Sequence, residues 1–179
     1  ISISQKLKDY YCSLKKKETL VLSTIIDVSR FEFVNIKTTP EYICYMGNME
    51  LSKDNVDLII KAFSMISSRY PKLQLHLYGN PNIKTKKILS DIIVELKQDK
   101  KVFLKGRAYY NEVPEILSNA KILVSSQPDT IRASGGFPTK LGEYLASGTP
   151  TLISNVGENS KYVKDREQLF LSKPNNIND

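Results

Sequence analysis

The stretch Phe137 to Pro150, FPTKLGEYLASGTP, holds the side chains and spacings best suited to chemistry in this chain of 179 residues. Gly135 and Gly136 lead into it, and glycines let a backbone approach a ligand closely. Pro138 suits the first turn of a helix. A helix opening there leaves N–H groups free, and its dipole favours a phosphate. Thr139 adds a hydroxyl donor and Lys140 a full positive charge. Glu143 follows on the same helix. A carboxylate beside phosphates is repelled unless it turns to hydroxyls, so the diol of a ribose is its natural partner. On residue types alone two readings stand: a diphosphate-and-ribose half-site, or a capped helix with a surface salt bridge.

The elements that must position this helix follow from the apolar periodicity. Ile3–Leu14 has helical spacing, and Thr19–Ile26 (TLVLSTII) reads as a strand. Glu41–Gly47 (EYICYMG) reads as a second strand ending on glycine. Ser52 is a candidate cap for a helix whose apolar face is Val56, Ile59, Ile60, Phe63 and Ile66, stopping at Tyr70-Pro71. Leu73–Tyr78 alternates as a strand and ends at Gly79. A helix with Ile88, Leu89, Ile92, Ile93 and Leu96 follows, then a strand at Val102–Leu104 ending at Gly106. Val113–Ala120 reads as a helix and Ile122–Ser125 as a strand. The helix Lys140–Ser147 is closed by Gly148. Thr151–Ser154, a helix near Ser160–Val163 and a strand at Leu169–Leu171 complete the chain. Alternating strands and helices predict an α/β, Rossmann-like domain of three layers, with a mostly parallel sheet and helices on both faces. Ligands in such folds bind beyond the carboxyl ends of the strands. The segment Gln127–Pro138 is the one long irregular loop expected at that edge, a length often functional.

Composition narrows the partners. Lys and Arg number 26 against 19 Asp and Glu, a net charge of +7. This suits solvated helix faces or a phosphate-bearing ligand. The clusters Lys15–Lys17 and Lys84–Lys87 are too short for a polyanion track, so no nucleic acid partner is expected. Cys12, Cys44 and His76 are too few for a zinc site, and both cysteines read as small core fillers in a reduced, cytoplasmic protein. No apolar run approaches the roughly 20 residues of a membrane span. The start lacks a signal-peptide layout and an initiator Met, so the chain reads as an excised fragment. Residues 1–18 are then a helical tail or linker from a preceding domain, and 19–179 the Rossmann-like domain.

FPTKLGEYLASGTPTLIS resembles the P-x-K-x-x-E-x-x-A-x-G-x-P motif of the retaining, group 1 glycosyltransferases of the GT-B fold. Other segments fall in that family's order: VLSTIIDVSRF with Asp27 and Phe31, YMGNMELSKDNVDLIIKAF, LHLYGN and VFLKG. The resemblance spans about residues 19 to 172. It implies the nucleotide-sugar-binding, C-terminal half of an enzyme that moves a sugar from an NDP-sugar to an acceptor, in polysaccharide or glycolipid synthesis. The acceptor site would come from an N-terminal domain of the same polypeptide, no cofactor or metal would be required, and the piece alone would transfer nothing. Peripheral contact with a membrane is compatible with the basic charge.

By the same resemblance, Glu143 holds the ribose. The amides of Thr139, Lys140 and Leu141 meet the diphosphate, and Lys53 is a cation on it. Gly47 belongs to the loop facing the phosphates, Gly106 and Arg107 contact the base through backbone, and Tyr109 or Tyr110 stacks on the base or packs. Lys140 and Lys53 are the expected catalytic pair. Two positions depart from the motif. Gly135 stands where the family has the first Glu of E-x7-E, and Asn48 where it has an Arg, with Arg132 or Lys140 as candidates to compensate. The departures leave a second implication open: a nucleotide-binding or regulatory domain without turnover. Outside the motif, His76 reads as a packed strand residue, Glu158 as a helix cap, and Asp129 as a carboxylate wrongly spaced from Glu143.

Overall fold

Alternation along β1 (Tyr42–Met46) sets both layers of the core. Ile43 and Tyr45 pack on one face, with Leu75, Leu77 and Val102 of neighbouring strands and the apolar sides of α2 (Val56–Ile66) and α3 (Ile83–Glu95). Tyr42 and Cys44 pack on the other, with Leu123, Tyr144 and the short helix α4 (Val113–Ser118). The computed structural model describes residues 1–15, 18–22, 24–136 and 139–179. Lys16, Lys17, Ser23, Phe137 and Pro138, and the side chain of Thr139, lie outside the described residues, and with them the expected first-turn proline.

Among the described residues, six strands form one parallel sheet, ordered β3-β2-β1-β4-β5-β6. They are β1, β2 (Gln74–Tyr78), β3 (Val102–Gly106), β4 (Ile122–Ser125), β5 (Thr151–Ser154) and β6 (Phe170–Ser172). This is the Rossmann-like α/β architecture expected from the sequence. The first three strands run outward from β1 and the last three outward from β4. The switch point therefore lies between β1 and β4, which pair through Ile43–Ile122 and Cys44–Leu123. The carboxyl ends of β1, β2 and β3 are laced together: Gly47 N–H donates to Tyr78 O at 3.0 Å, and Gly79 N–H to Gly106 O at 2.9 Å.

Four expectations are corrected. Residues 18–22 and 24–27 form no strand; Val21 makes a single bridge to Ser2. Their apolar side chains have no free sheet edge to join beside β1, whose two sides are taken by β2 and β4. Ser52 does not cap α2; Asn55 precedes it, and the Ser52 hydroxyl donates to Glu50 instead. The long loop is not wholly irregular, because α5 (Ile131–Gly135) forms within it, capped by the Thr130 hydroxyl accepting from Ala133 N–H. Cys44 is fully buried as expected, but Cys12 is not: it lies on α1 (Gln5–Leu14), which buries no residue.

Helix α1 is held by its first turn. The Ser4 hydroxyl accepts from Leu7 N–H and donates to Gly135 O. Glu158 accepts from Gln5 N–H at 3.1 Å and from Lys161 Nζ at 2.8 Å. The Lys161 bond holds the Glu158 carboxyl below its ordinary range. Glu158 is thus a cap, but of α1 rather than of its own helix α7 (Asn159–Tyr162), to which it makes no side-chain cap bond.

Candidate functional site

A cleft of about 620 Å³ opens at the switch point. It is bordered by Gly47 and Lys53 of the loop after β1, Arg132 and Gly136 from α5 and its end, and Lys140 and Glu143 of α6 (Thr139–Ala146). The crevice between two outward-running halves of a parallel sheet is where the fold places ligands. Gly47, Lys53, Gly136, Lys140 and Glu143 thus converge, although they are scattered from position 47 to 143.

Helix α6 is anchored from behind. Leu141 is 2% exposed and packs with Ile153, Val163 and Leu169. The Tyr144 hydroxyl, also buried, accepts from Met46 N–H at 3.0 Å and reaches Val124 O at 3.3 Å, tying α6 to β1 and β4. With Leu141 and Tyr144 inward, Lys140 and Glu143 border the cleft.

Lys140 is a half-buried cation, its side chain 16% exposed, with a dedicated counter-ion. Its Nζ donates to Asp54 Oδ1 at 2.8 Å and lies 4.7 Å from the centroid of the Tyr45 ring. Asp54 is 1% exposed. Burial lowers the Lys140 pKa, and Asp54 opposes that shift. Burial likewise raises the Tyr45 pKa, Asp54 adding to it. Asp54 has no counterpart among the sequence-derived candidates. Gly47 is fixed by the same cluster: a Cβ on it would stand 2.4 Å from Tyr45 Oη and 2.8 Å from Lys140 Nζ. The lysine ammonium therefore rests against the bare backbone of the loop.

Glu143 is held by a second residue the sequence did not single out. Arg30 Nη1 donates to Glu143 Oε1 at 3.0 Å, with side chains 13% and 26% exposed. Arg30 belongs to a 3-10 turn, Val28–Phe31, capped by Asp27 accepting from Ser29 N–H. Its guanidinium lies 3.5 Å from the centroid of the Tyr110 ring, in the loop after β3, and donates to Tyr110 O. The same segment presses on α6 one residue earlier: a Cβ on Gly142 would stand 2.3 Å from Ile26 Cγ1.

The remaining candidates divide between the cleft and other places. Gly135 is not on the cleft wall; its carbonyl faces Ser4, and a Cβ there would meet nothing within 4 Å. Arg107 borders a different cavity of about 530 Å³, beside Tyr42, His76 and Lys105, and Gly106 ends β3 with φ of +76°. Tyr109 and Tyr110 are both exposed, and Arg30 lies over the Tyr110 ring. Asn48 borders the cleft. Arg132 does too, and is paired with Glu50 at 3.2 Å. Asp129 is exposed and off the cleft wall.

His76 is packed, not poised. It stacks on Tyr42 with centroids 4.3 Å apart and meets Gln74 through Nε2 at 2.8 Å. Burial, then the Lys105 charge, lowers its pKa from 6.5 to about 4. The unfolded chain takes this proton first on acidification. The His76 contribution to stability is therefore present above pH 6.5 and lost as pH falls through about 4. Denaturant midpoints between these pH values should decline less in His76→Phe than in the wild type. Parallel declines would remove His76 from the acid response.

Among the described residues, no three His, Cys, Asp or Glu side chains gather to hold a metal ion. No helix among them is long and apolar enough to cross a membrane.

Comparison with known proteins bears on the same region. The model of the glycosyl transferases group 1 family matches residues 29–179. The poly(ribitol-phosphate) alpha-N-acetylglucosaminyltransferase of Staphylococcus aureus is 24% identical over 155 residues, covering 82% of this chain and 29% of that protein. The chain thus spans less than a third of that relative's length. The C-terminal domain of the group 1 family protein LpcC from Francisella tularensis superposes with a TM-score of 0.73 at 19% identity, over 86% of this chain and 83% of that one. Anabaena HepE, solved with UDP and glucose, gives 0.74 at 15% identity over 88% of this chain and 44% of that one.

Proposed function

We propose, since this chain belongs to the group 1 glycosyl transferases, that it is the donor-binding half of a retaining enzyme that passes a sugar from an NDP-sugar to an acceptor. One observation carries the reading: Lys140 and Glu143, on one face of α6, share a switch-point cleft with Gly47 and Lys53. Glu143 takes the ribose hydroxyls. The diphosphate lies against Gly47 and the first amides of α6. Departure of the sugar leaves charge on the diphosphate, and groups already in place stabilise such charge best. Lys140, pinned by Asp54, needs no reorganisation to do so, and Lys53 adds a second cation. In this reading these cations, rather than a metal ion, meet the leaving group. An N-terminal domain of the same polypeptide contributes the acceptor site, and polysaccharide or glycolipid synthesis, at the cytoplasmic face of a membrane, is the setting. The 179-residue chain is then expected to bind nucleotide diphosphate weakly and to transfer nothing alone.

A second reading has its own observation. Gly135 brings no carboxylate, and Arg132, a candidate to compensate for Asn48, is engaged by Glu50. A domain that binds nucleotide without turnover carries the same cleft. Turnover by the full-length protein separates the two.

The donor-site reading is tested by thermal shift with UDP, GDP and ADP, since a ligand bound only by the folded state raises the melting temperature. At least one should do so, and Glu143→Ala should weaken that nucleotide by roughly 1–3 kcal/mol, as for a charged hydrogen-bond partner. Unchanged calorimetric affinity in Glu143→Ala would sink the assignment of the cleft.

A further inference from the structure

We propose that Arg30 is a positioning residue for the donor nucleotide, fixing Glu143 and the Tyr110 loop as one prearranged wall of the nucleoside site; this rests on the donor-site reading of the cleft. Arg30 joins three parts of the chain that the sheet alone does not connect. Its own turn lies ahead of β1, Tyr110 follows β3, and Glu143 sits on α6.

The contact is built rather than incidental. The Arg30 side chain is 13% exposed, less than its partner. The guanidinium donates to Glu143 Oε1 and to Tyr110 O and stacks 3.5 Å over the Tyr110 ring. A planar fork stacked on an aromatic ring is a task that Lys cannot copy. The turn that presents it is itself fixed, by the Asp27 cap and by Ile26 seated against Gly142.

Two consequences follow for a nucleotide. Arg30 bonds one oxygen of Glu143, Oε1, which sets the carboxylate plane and leaves Oε2 for a ribose hydroxyl. It also supplies a positive charge beside a carboxylate that must share the cleft with a diphosphate. Without that charge, Glu143 repels the ligand it has to hold. A competitor that nucleotide must expel would be free to swing away, whereas Arg30 keeps two further contacts on Tyr110.

The test is calorimetry on the 179-residue chain with UDP, GDP and ADP, and with the 2′-deoxy form of the nucleotide bound best. The variants are Arg30→Ala, Arg30→Lys, Glu143→Gln and the Arg30→Ala/Glu143→Gln pair, with Arg30→Gln replacing Arg30→Ala if the latter does not fold. Arg30→Ala is expected to weaken binding roughly ten-fold and to shrink the ribose-over-deoxyribose preference to that of Glu143→Gln. The pair should be no weaker than Glu143→Gln alone, and Arg30→Lys should fall between wild type and Arg30→Ala. A purely structural Arg30 would lower melting temperature but leave the deoxy preference intact. Affinity and preference that are unchanged, or tighter binding in Arg30→Ala, while Glu143→Gln still weakens binding, overturns this proposal and spares the donor-site reading. No nucleotide binding by the wild type, or none lost in Glu143→Gln, overturns the donor-site reading and this proposal with it.

Discussion

Lys140→Met should destabilise the domain by about 3–5 kcal/mol, the cost of breaking a buried ion pair and leaving one charge alone. The orphan is Asp54, 1% exposed, whose carboxylate would lose the ammonium 2.8 Å away. For a chain of this size the melting temperature should fall by on the order of 10 °C. Adding Asp54→Asn removes the orphan charge, while the Tyr45 hydroxyl still accepts from Met49 N–H. The double variant should recover most of the loss at neutral pH and still bind nucleotide diphosphate poorly. Equal melting temperatures in the single and double variants would mean that Asp54 does not depend on Lys140.

Much of this site could be read from the sequence because it is local. Gly136, Lys140 and Glu143 lie on one short stretch whose residue types suit phosphate and ribose. Gly47, Gly79 and Gly106 each mark the end of a strand, and the alternation of elements says that strand ends meet ligands. What could not be read are the partners. Asp54 follows Lys53 just ahead of a helix, where an acidic residue normally serves the dipole; its full burial depends on α6 arriving 86 positions later. Arg30 sits 113 positions from Glu143, in a segment whose apolar run looked like a strand. Periodicity reports which face of an element is apolar. It does not report which loops the topology brings together. The expected strand that does not form has the same origin: Ile26 is apolar because it seals against Gly142, not because it joins the sheet. Helix α5 escaped notice because it has no apolar face to reveal it, Ile131 being 92% exposed. Its capping residue, Thr130, three before Ala133, was the one local sign.

Gly79→Ala should damage nucleotide binding from a position off the cleft wall. A Cβ there would stand 2.1 Å from Gly47 O and 3.0 Å from Met49 Cγ. The first neighbour is backbone, so relief requires the loop after β1 to move. That loop is pinned: Gly47 N–H is bonded to Tyr78 O, and the glycine presses on Tyr45 and Lys140. Overpacking of this kind costs about 1–3 kcal/mol and sometimes more. The displacement passes into Lys140, the cation proposed to meet the diphosphate, so affinity should drop well beyond what the lost stability explains. Gly148→Ala is the control. It carries φ of +67° and nothing within 4 Å of an added Cβ, so it pays only the left-handed strain of about 1–2 kcal/mol at the far end of α6. The two variants should therefore resemble each other in melting temperature and differ in nucleotide affinity. Equal affinities would mean that the loop after β1 yields without disturbing Lys140. The phosphate site would then rest on the helix amides rather than on the glycine–lysine contact.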